Sequence, residues 1–283
     1  MRIFDTHCHL GLLYEDPVSQ IRAIDEAKRG LALDKDKTKH ANVIALANIS
    51  TNLYDFASCY KNTKNIPNVF HTIGLSPSEV MNPGKDWEEK LDEWLNYENV
   101  IGVGEIGLDY HHKYGNKNDQ IEFFLKQLDM AEKHELPVVL HNREAGDDML
   151  DILKSKTPSK GGILHCFSEN SDYAYKMIDL GIYISFAGNL TFHNATNLHT
   201  VARNIPLENI LIETDSPFLT PNAYRGKRNR PVFIVETLKF LAKLRNMPVD
   251  KLADILFNNS LKAYHLRLSD LIYYDTTEID DEE

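Results

Sequence analysis

Short apolar runs alternate with longer amphipathic segments along almost the whole chain, and this alternation limits the fold more than any other feature. The runs at 43–47, 100–103, 138–140, 163–164, 182–184 and 210–212 are brief, rich in β-branched residues and apolar on both faces. A strand wetted on one side alternates apolar with polar residues, whereas a parallel strand covered on both sides reads as a continuous apolar run. Between the runs lie helical patterns. The clearest spans 119–134, where Ile121, Phe124, Leu125, Leu128 and Ala131 recur at three- and four-residue spacing and predict one buried stripe. Strand followed by helix, repeated about eight times, predicts an α/β protein built as a single (β/α)8 TIM barrel. A doubly wound open sheet is the competing arrangement, but no glycine-rich phosphate loop follows the first strand.

Composition agrees with one large barrel. A chain of 283 residues that is 42% hydrophobic, with 13 Tyr and 12 Phe, can bury a sizeable core, which excludes disorder for most of its length. No apolar run approaches the ~18 residues of a membrane helix, and the start MRIFDTHCHL lacks the apolar stretch of a signal peptide. Cys8, Cys59 and Cys166 are odd in number and far apart, so no disulfide framework is expected and a cytosolic location is. Residues 1–268 read as the barrel domain and 269–283 as an acidic, mobile tail; residues 28–39 read as an exposed connection. Six carboxylates fall in 275–283, leaving a net charge of −5 of the total −11 on the rest. Such a chain has no long-range attraction for nucleic acid, so that binding would need a local basic patch. Arg225, Lys227, Arg228 and Arg230 form one, although most charge runs are simply solvated surface.

The chemistry is expected at the strand ends. The first run leads into Asp5-Thr6-His7-Cys8-His9, the run at 100–103 into Glu105, that at 138–140 into His141, that at 163–164 into His165, and that at 210–212 into Asp215. In a parallel barrel the C-terminal strand ends meet at one face, where active sites lie. His7 and His9 flank Cys8, so on an extended strand both imidazoles point to the same side. With Glu105 and Asp215 they suit one divalent ion, while His141 and His165 could hold a second, bridged by Glu105. Imidazoles and carboxylates without thiolates favour catalytic zinc, manganese or magnesium over a structural zinc site. Two ions ~4 Å apart suit phosphodiester hydrolysis, because they stabilise both the attacking and the leaving oxygen. A single strand-end histidine is usually a hydrogen-bonded core residue; four, with two carboxylates, outweigh that reading.

Taken in order, FDTHCHL, GEIGLDYH, PVVLHNRE, ILHCF, IETDSPFL and RGKRNRP resemble the TatD-type metal-dependent deoxyribonucleases, a family within the amidohydrolase-like TIM barrels. The resemblance covers roughly residues 1–265. It implies two ions, one held by His7, His9, Glu105 and Asp215 and the other by Glu105, His141 and His165. It also implies that Asp215 orients or deprotonates the attacking water, and that Arg225 and Lys227 lie near the substrate phosphate. One position departs from the pattern. Where the family carries His in a GxHP segment after the third strand, this chain has Gly74-Leu75-Ser76-Pro77. Ser76 can donate a hydrogen bond to phosphate but carries no positive charge, which implies altered tuning rather than lost activity. His71 is out of register to replace it.

The remaining polar residues have smaller expected parts. Arg143 is a candidate phosphate contact, with ion pairing to Glu144 or Asp147 as the competing role. Asp5 is expected either to hold a ligand imidazole or to cap its strand, and Glu213 to support the site from behind. Asp109 and Tyr110 read as loop structure. Cys166 reads as a small buried residue facing away from the pocket, and His111, His112, His193 and His199 as structural or exposed. The expected activity is metal-dependent hydrolysis of DNA phosphodiesters, exonucleolytic, on single strands or frayed ends. Two alternatives remain: hydrolysis of an amide or ester, such as a small molecule or an aminoacyl-tRNA, on the same scaffold, and a non-catalytic binding subunit. Glu105, in the place where cyclic amidases carry a carboxylated lysine, favours the phosphoesterase side.

Overall fold

A computed structural model describes residues 1–13, 16–33 and 40–272. The strands are β1 (Arg2–Cys8), β2 (Leu31–Ala32), β3 (His40–Ser50), β4 (Val69–Ile73), β5 (Val100–Asp109), β6 (Val138–Arg143), β7 (Gly162–Leu164), β8 (Ile182–Phe186) and β9 (Ile210–Ile212). All but β2 pair in parallel in the order β1-β3-β4-β5-β6-β7-β8-β9, with helices between them, and β2 pairs antiparallel with the start of β3. This is the expected (β/α)8 barrel. Each apolar run identified in the sequence lies within one of these strands.

Side-chain alternation divides the core into two layers. Ala45, Ala47, Ile49, Phe70, Ile101, Val139, Ile163 and Leu211 point inward, and Val43, Leu46, Val69, Ile73, Val103 and Ile106 pack outward against the helices. The inner layer is plugged by the last long helix, Val249–Ala263, whose Phe257 and Leu261 join it together with Tyr264. Phe4 stacks between Phe70 and Tyr264, with ring centroids 6.0 and 5.8 Å away. The Tyr264 hydroxyl donates to the Thr6 carbonyl at 2.7 Å, so the plug is tied to β1.

The barrel closes between β1 and β9 by side-chain stitching. Thr6 Oγ1 donates to the Ile212 carbonyl at 2.9 Å, and Asp5 accepts from the Thr214 amide at 2.9 Å and the Thr214 hydroxyl at 2.6 Å. Asp5 therefore takes the capping role, and its carboxylate contacts backbone and hydroxyl rather than a ligand imidazole. Above it the Asp215 amide donates to the His7 carbonyl and the His9 amide to the Ser216 carbonyl, both at 2.8 Å.

The helix over the 119–134 pattern is Lys117–Lys133, with Phe124, Leu128 and Ala131 buried as expected. Ile121 and Leu125 are only half-buried, and Gln120, Phe123 and Gln127 take the remaining buried places. Each glutamine satisfies one peptide unit on both sides: Gln120 that of Asp109, Gln127 that of Leu75. At the C-terminal end, Leu271 is buried, and Asn68 exchanges two 2.8 Å hydrogen bonds with the backbone of Ile272. The packed body thus includes 269–272 of the expected tail; residues 273–283 lie outside the described residues, as do 34–39 of the expected exposed connection.

Removing the inner-layer ring should leave a cavity that the closed barrel cannot collapse to fill. Phe4→Ala is expected to cost about 3–5 kcal/mol. It should appear as a lower denaturation midpoint with unchanged denaturant slope.

Candidate metal centre

Four imidazoles and two carboxylates converge at the C-terminal ends of the strands, in a cavity of about 620 Å³. His7 Nε2 lies 3.1 Å from His9 Nε2 and 3.6 Å from Glu105 Oε2, and His9 Nε2 lies 3.7 Å from the same oxygen. Asp215 Oδ1 completes this group at 3.7 Å from His7 Nε2 and 3.2 Å from His9 Nε2. The other carboxylate oxygen, Glu105 Oε1, faces a second group, 2.7 Å from His141 Nδ1 and 3.3 Å from His165 Nε2, with the two imidazole nitrogens 3.3 Å apart. Glu105 therefore presents one oxygen to each group.

The donor set fits divalent cations. Ligands held ~2.1 Å from a tetrahedral ion lie about 3.4 Å from one another; the donor atoms of His7, His9 and Glu105 lie 3.1–3.7 Å apart, and Asp215 stands 3.2–3.7 Å from the two imidazoles. His9 Nδ1 donates to the Ile49 carbonyl at 2.8 Å, which fixes the ring and directs Nε2 into the group. Two imidazole nitrogens facing each other at 3.1 Å share no better partner than a cation. Among the described residues buried His7 Nδ1 has no hydrogen-bond partner, so the His7 ring is oriented by its stacking on His165, 4.1 Å between centroids, and by what its Nε2 meets.

The backbone explains why these side chains meet. Phe4 and Thr6 point into the barrel, yet His7 and His9 both turn over its mouth. This change of parity falls where the β1–β3 ladder slips between Asp5 and Cys8, and such an irregularity re-aims side chains. Strands β5 and β6 run on past Glu105 and His141, pairing Gly107 with His141 and Asp109 with Arg143. Gly107 adopts φ +146°, and a Cβ there would collide with the His141 carbonyl oxygen. Asp215 sits at φ +53°, a left-handed conformation that aspartate tolerates better than most residues.

The family model for TatD related DNases matches residues 4–265. This chain belongs to the TatD family. Escherichia coli YcfH, an uncharacterized metal-dependent hydrolase, is 35% identical over 96% of this chain and 98% of its own. Bacillus subtilis YabD, of the same description, is 31% identical over 93% and 99%. The crystal structure of YjjV, a TatD homolog from E. coli K12, superposes with a TM-score of 0.80 at 27% identity, covering 94% of this chain and 98% of that one.

Around this TatD centre a further shell of groups holds the ligands. Asp109, expected only to shape a loop, lies 3.3 Å from His141 Nε2 and also binds His112 Nδ1 at 2.7 Å. Its place in the GEIGLDYH segment, four residues after Glu105, was the available signal. Glu213 lies 3.4 Å from His165 Nδ1, accepts from the Cys166 amide at 2.8 Å and from the Ser185 hydroxyl at 2.5 Å. It supports the site from behind, as expected.

Charge and burial pull the imidazoles apart. Burial, reinforced by the charge of His165, pushes His7 down to about 3. Burial also opposes a charge on His9, but the hydrogen bond and charge of Asp215, with Glu105, push it up to about 9. His165 is held well above the usual range, burial being overcome by Glu105 and then Glu213, and His141 is raised by Asp109 and Glu105. Glu105 is buried, yet the charge of His165 and hydrogen bonds from three imidazoles keep it well below the usual carboxylate range.

The expected substrate contacts divide. Ser76 and Arg143 line the cavity, Ser76 paired to the Ser78 hydroxyl at 2.7 Å. Arg225 and Lys227 do not line it. They are exposed on the following loop, with the Arg225 guanidinium 4.3 Å from the Phe192 ring centre and the Lys227 ammonium 5.7 Å from that of Tyr224. Nearness to Asp215 in sequence does not make them walls, because the loop turns outward. Arg230 ion-pairs with Glu26 at 2.7 Å, and Arg228 donates to the Leu12 carbonyl at 2.5 Å. Cys166, expected to face away, lines the cavity. Strand β7 ends at Leu164 and Cys166 adopts φ +45°, so strand alternation no longer governs its direction. His112 also lines the cavity, whereas His111 pairs with Glu144, His193 with Asn222 and His199 with the Leu190 carbonyl, outside the cavity wall.

The upward push on His9, by Asp215 and Glu105 against burial, favours a proton that a ligating Nε2 would have to give up. Divalent-ion binding should therefore release protons, and affinity should rise with pH towards about 9. Calorimetry in buffers of different ionisation enthalpy checks both. In the same titration Glu105→Gln should disable both groups, whereas Asp109→Ala should weaken only one, by about 10–100-fold.

Proposed function

We propose that this chain is a metal-dependent deoxyribonuclease that hydrolyses phosphodiester bonds at single-stranded or frayed DNA ends. The observation that carries this reading is the shared carboxylate: Glu105 offers Oε2 to one donor group and Oε1 to the other. His7, His9, Glu105 and Asp215 would hold one divalent ion, and Glu105, His141 and His165 a second. Ions at these positions, magnesium, manganese or zinc, would polarise phosphate oxygens and make water acidic enough to supply hydroxide near neutral pH.

The residues of the chain do the rest. Asp215, with its backbone fixed to His7, offers a carboxylate edge at the cavity mouth that orients the attacking water and accepts its proton. Glu105 carries negative charge without needing a proton, which suits a bridging ligand. Ser76, Ser78 and Arg143 on the cavity wall are donors within reach of non-bridging phosphate oxygens. Ser76 would orient phosphate without adding charge, leaving Arg143 as the cation on that wall. Free thiols at Cys8, Cys59 and Cys166 support a cytosolic setting. Among the described residues no helix is long and apolar enough to cross a membrane.

End-labelled single-stranded DNA tests the reading. Purified protein should shorten it stepwise in one or more of Mg²⁺, Mn²⁺ and Zn²⁺, and not in EDTA. Asp215→Asn should keep the fold and lower the rate by about 10²–10⁴-fold, the range for losing a general base. Unchanged turnover in that variant would remove Asp215 from the role. Intact DNA under every metal, with turnover of an ester or amide instead, would overturn the phosphodiester reading.

A further inference from the structure

Large apolar side chains that stay in water next to a reaction centre need a reason, and Phe218 is one. It is 51% exposed, lines the cavity mouth, and its ring meets that of His9 edge-on with centroids 6.1 Å apart. Leu12, 41% exposed, and Leu219 line the same cavity. The side chain is exposed, but its backbone is fixed. The Phe218 amide donates to the Asp215 carbonyl at 2.8 Å, and its carbonyl accepts from Asn229 Nδ2 at 2.6 Å. Fully buried Asn229 also donates to the Thr214 carbonyl at 2.8 Å, so one amide side chain locks the turn that carries both Asp215 and Phe218. The loop beyond this turn carries Arg225 and Lys227, cations in a chain of net charge −11.

We infer that Phe218, flanked by Leu12 and Leu219, is a nucleobase-stacking platform that receives the base next to the scissile phosphate. This rests on the phosphodiesterase reading and adds a specificity-determining residue to it. An aromatic held beside ligand His9 lies about one nucleotide's reach from a phosphate at the metal centre. Every base offers a π-face, so such a platform selects for an unstacked base without reading sequence. A paired duplex base cannot lie on it until the end frays, so the platform would give the proposed activity its preference for single-stranded or frayed ends. Because the turn is held by Asn229, the ring is ordered before substrate arrives, which lowers the entropic cost of stacking.

The test compares single-stranded oligonucleotides ending in a normal nucleotide, an abasic nucleotide or 2-aminopurine, using metal-loaded wild type, Phe218→Ala and Phe218→Trp. Phe218→Ala should raise KM about 5–150-fold, the range of one base–aromatic stack, with a smaller change in kcat, and Phe218→Trp should restore it. Wild type should lose a similar factor on the abasic end, whereas Phe218→Ala should lose little more there. Stopped-flow mixing should show 2-aminopurine quenching before release in wild type and Phe218→Trp, and not in Phe218→Ala. Equal discrimination against the abasic end by wild type and Phe218→Ala, with DNA still shortened, overturns the platform alone. Neither shortening nor quenching by wild type in any metal overturns the phosphodiesterase reading and the platform with it.

Discussion

The Glu105 carboxylate, buried among His7, His9, His141 and His165, is the interaction around which the mouth of the barrel is organised. A buried charge is tolerated only when it is paired and hydrogen-bonded. Here every partner is itself titratable and lies on β1 or β6 or just past the ends of β1 and β7, so the charge is satisfied only if β1, β5, β6 and β7 reach the mouth in register. The strand ladders, the inner layer of Phe4, Phe70 and Tyr264 below, and the helices outside set that register. The polar centre is thus assembled by an apolar scaffold that contains none of its chemistry.

The seam between β1 and β9 shows how closely architecture and site are joined. A regular ladder there would use the backbone groups of Thr214 and Asp215 for strand pairing. Instead the Asp5 carboxylate, Thr6 hydroxyl and Thr214 hydroxyl close the gap, and the chain is released to turn sharply at Asp215 with its amide on the His7 carbonyl. The turn delivers a carboxylate from the last strand into a group formed mainly by the first. Asn229 then locks the same turn from outside, which transmits that rigidity to Phe218.

Much of this was legible in the sequence, because strand runs and strand-end residues obey position rules that need no neighbours. An apolar run ending in His, Glu or Asp predicts its own location in a parallel barrel; His9, Glu105, His141, His165 and Asp215 line one cavity, and His7 lies buried against them. What was hidden depended on tertiary partners. Gln120 and Gln127 displace Ile121 and Leu125 from the buried stripe because each amide satisfies a peptide unit that periodicity does not see. Cys166 escapes strand alternation because β7 ends two residues earlier. Arg225 and Lys227 follow Asp215 closely, yet ring faces at Phe192 and Tyr224 hold them away from the cavity wall. Asp109 betrayed itself only by sharing a segment with Glu105.

The acid balance of the chain bears on how it would engage a polyanion. Non-specific affinity for duplex DNA comes from many phosphate contacts that release counterions, and a chain with net charge −11 cannot present a broad basic face. Attraction must then be local: ions at the centre, Arg143 on the wall, and a short basic loop beyond Phe218. Under the proposed function few phosphates could be neutralised at once, so binding energy would concentrate on the nucleotide at the centre rather than along the strand. An open-mouthed cavity of about 620 Å³ has room for one such nucleotide with its phosphate. On the proposed function, recognition through one unstacked base and one phosphate would be recognition of an end, favoured by the charge of the surface as much as by the shape of the cavity.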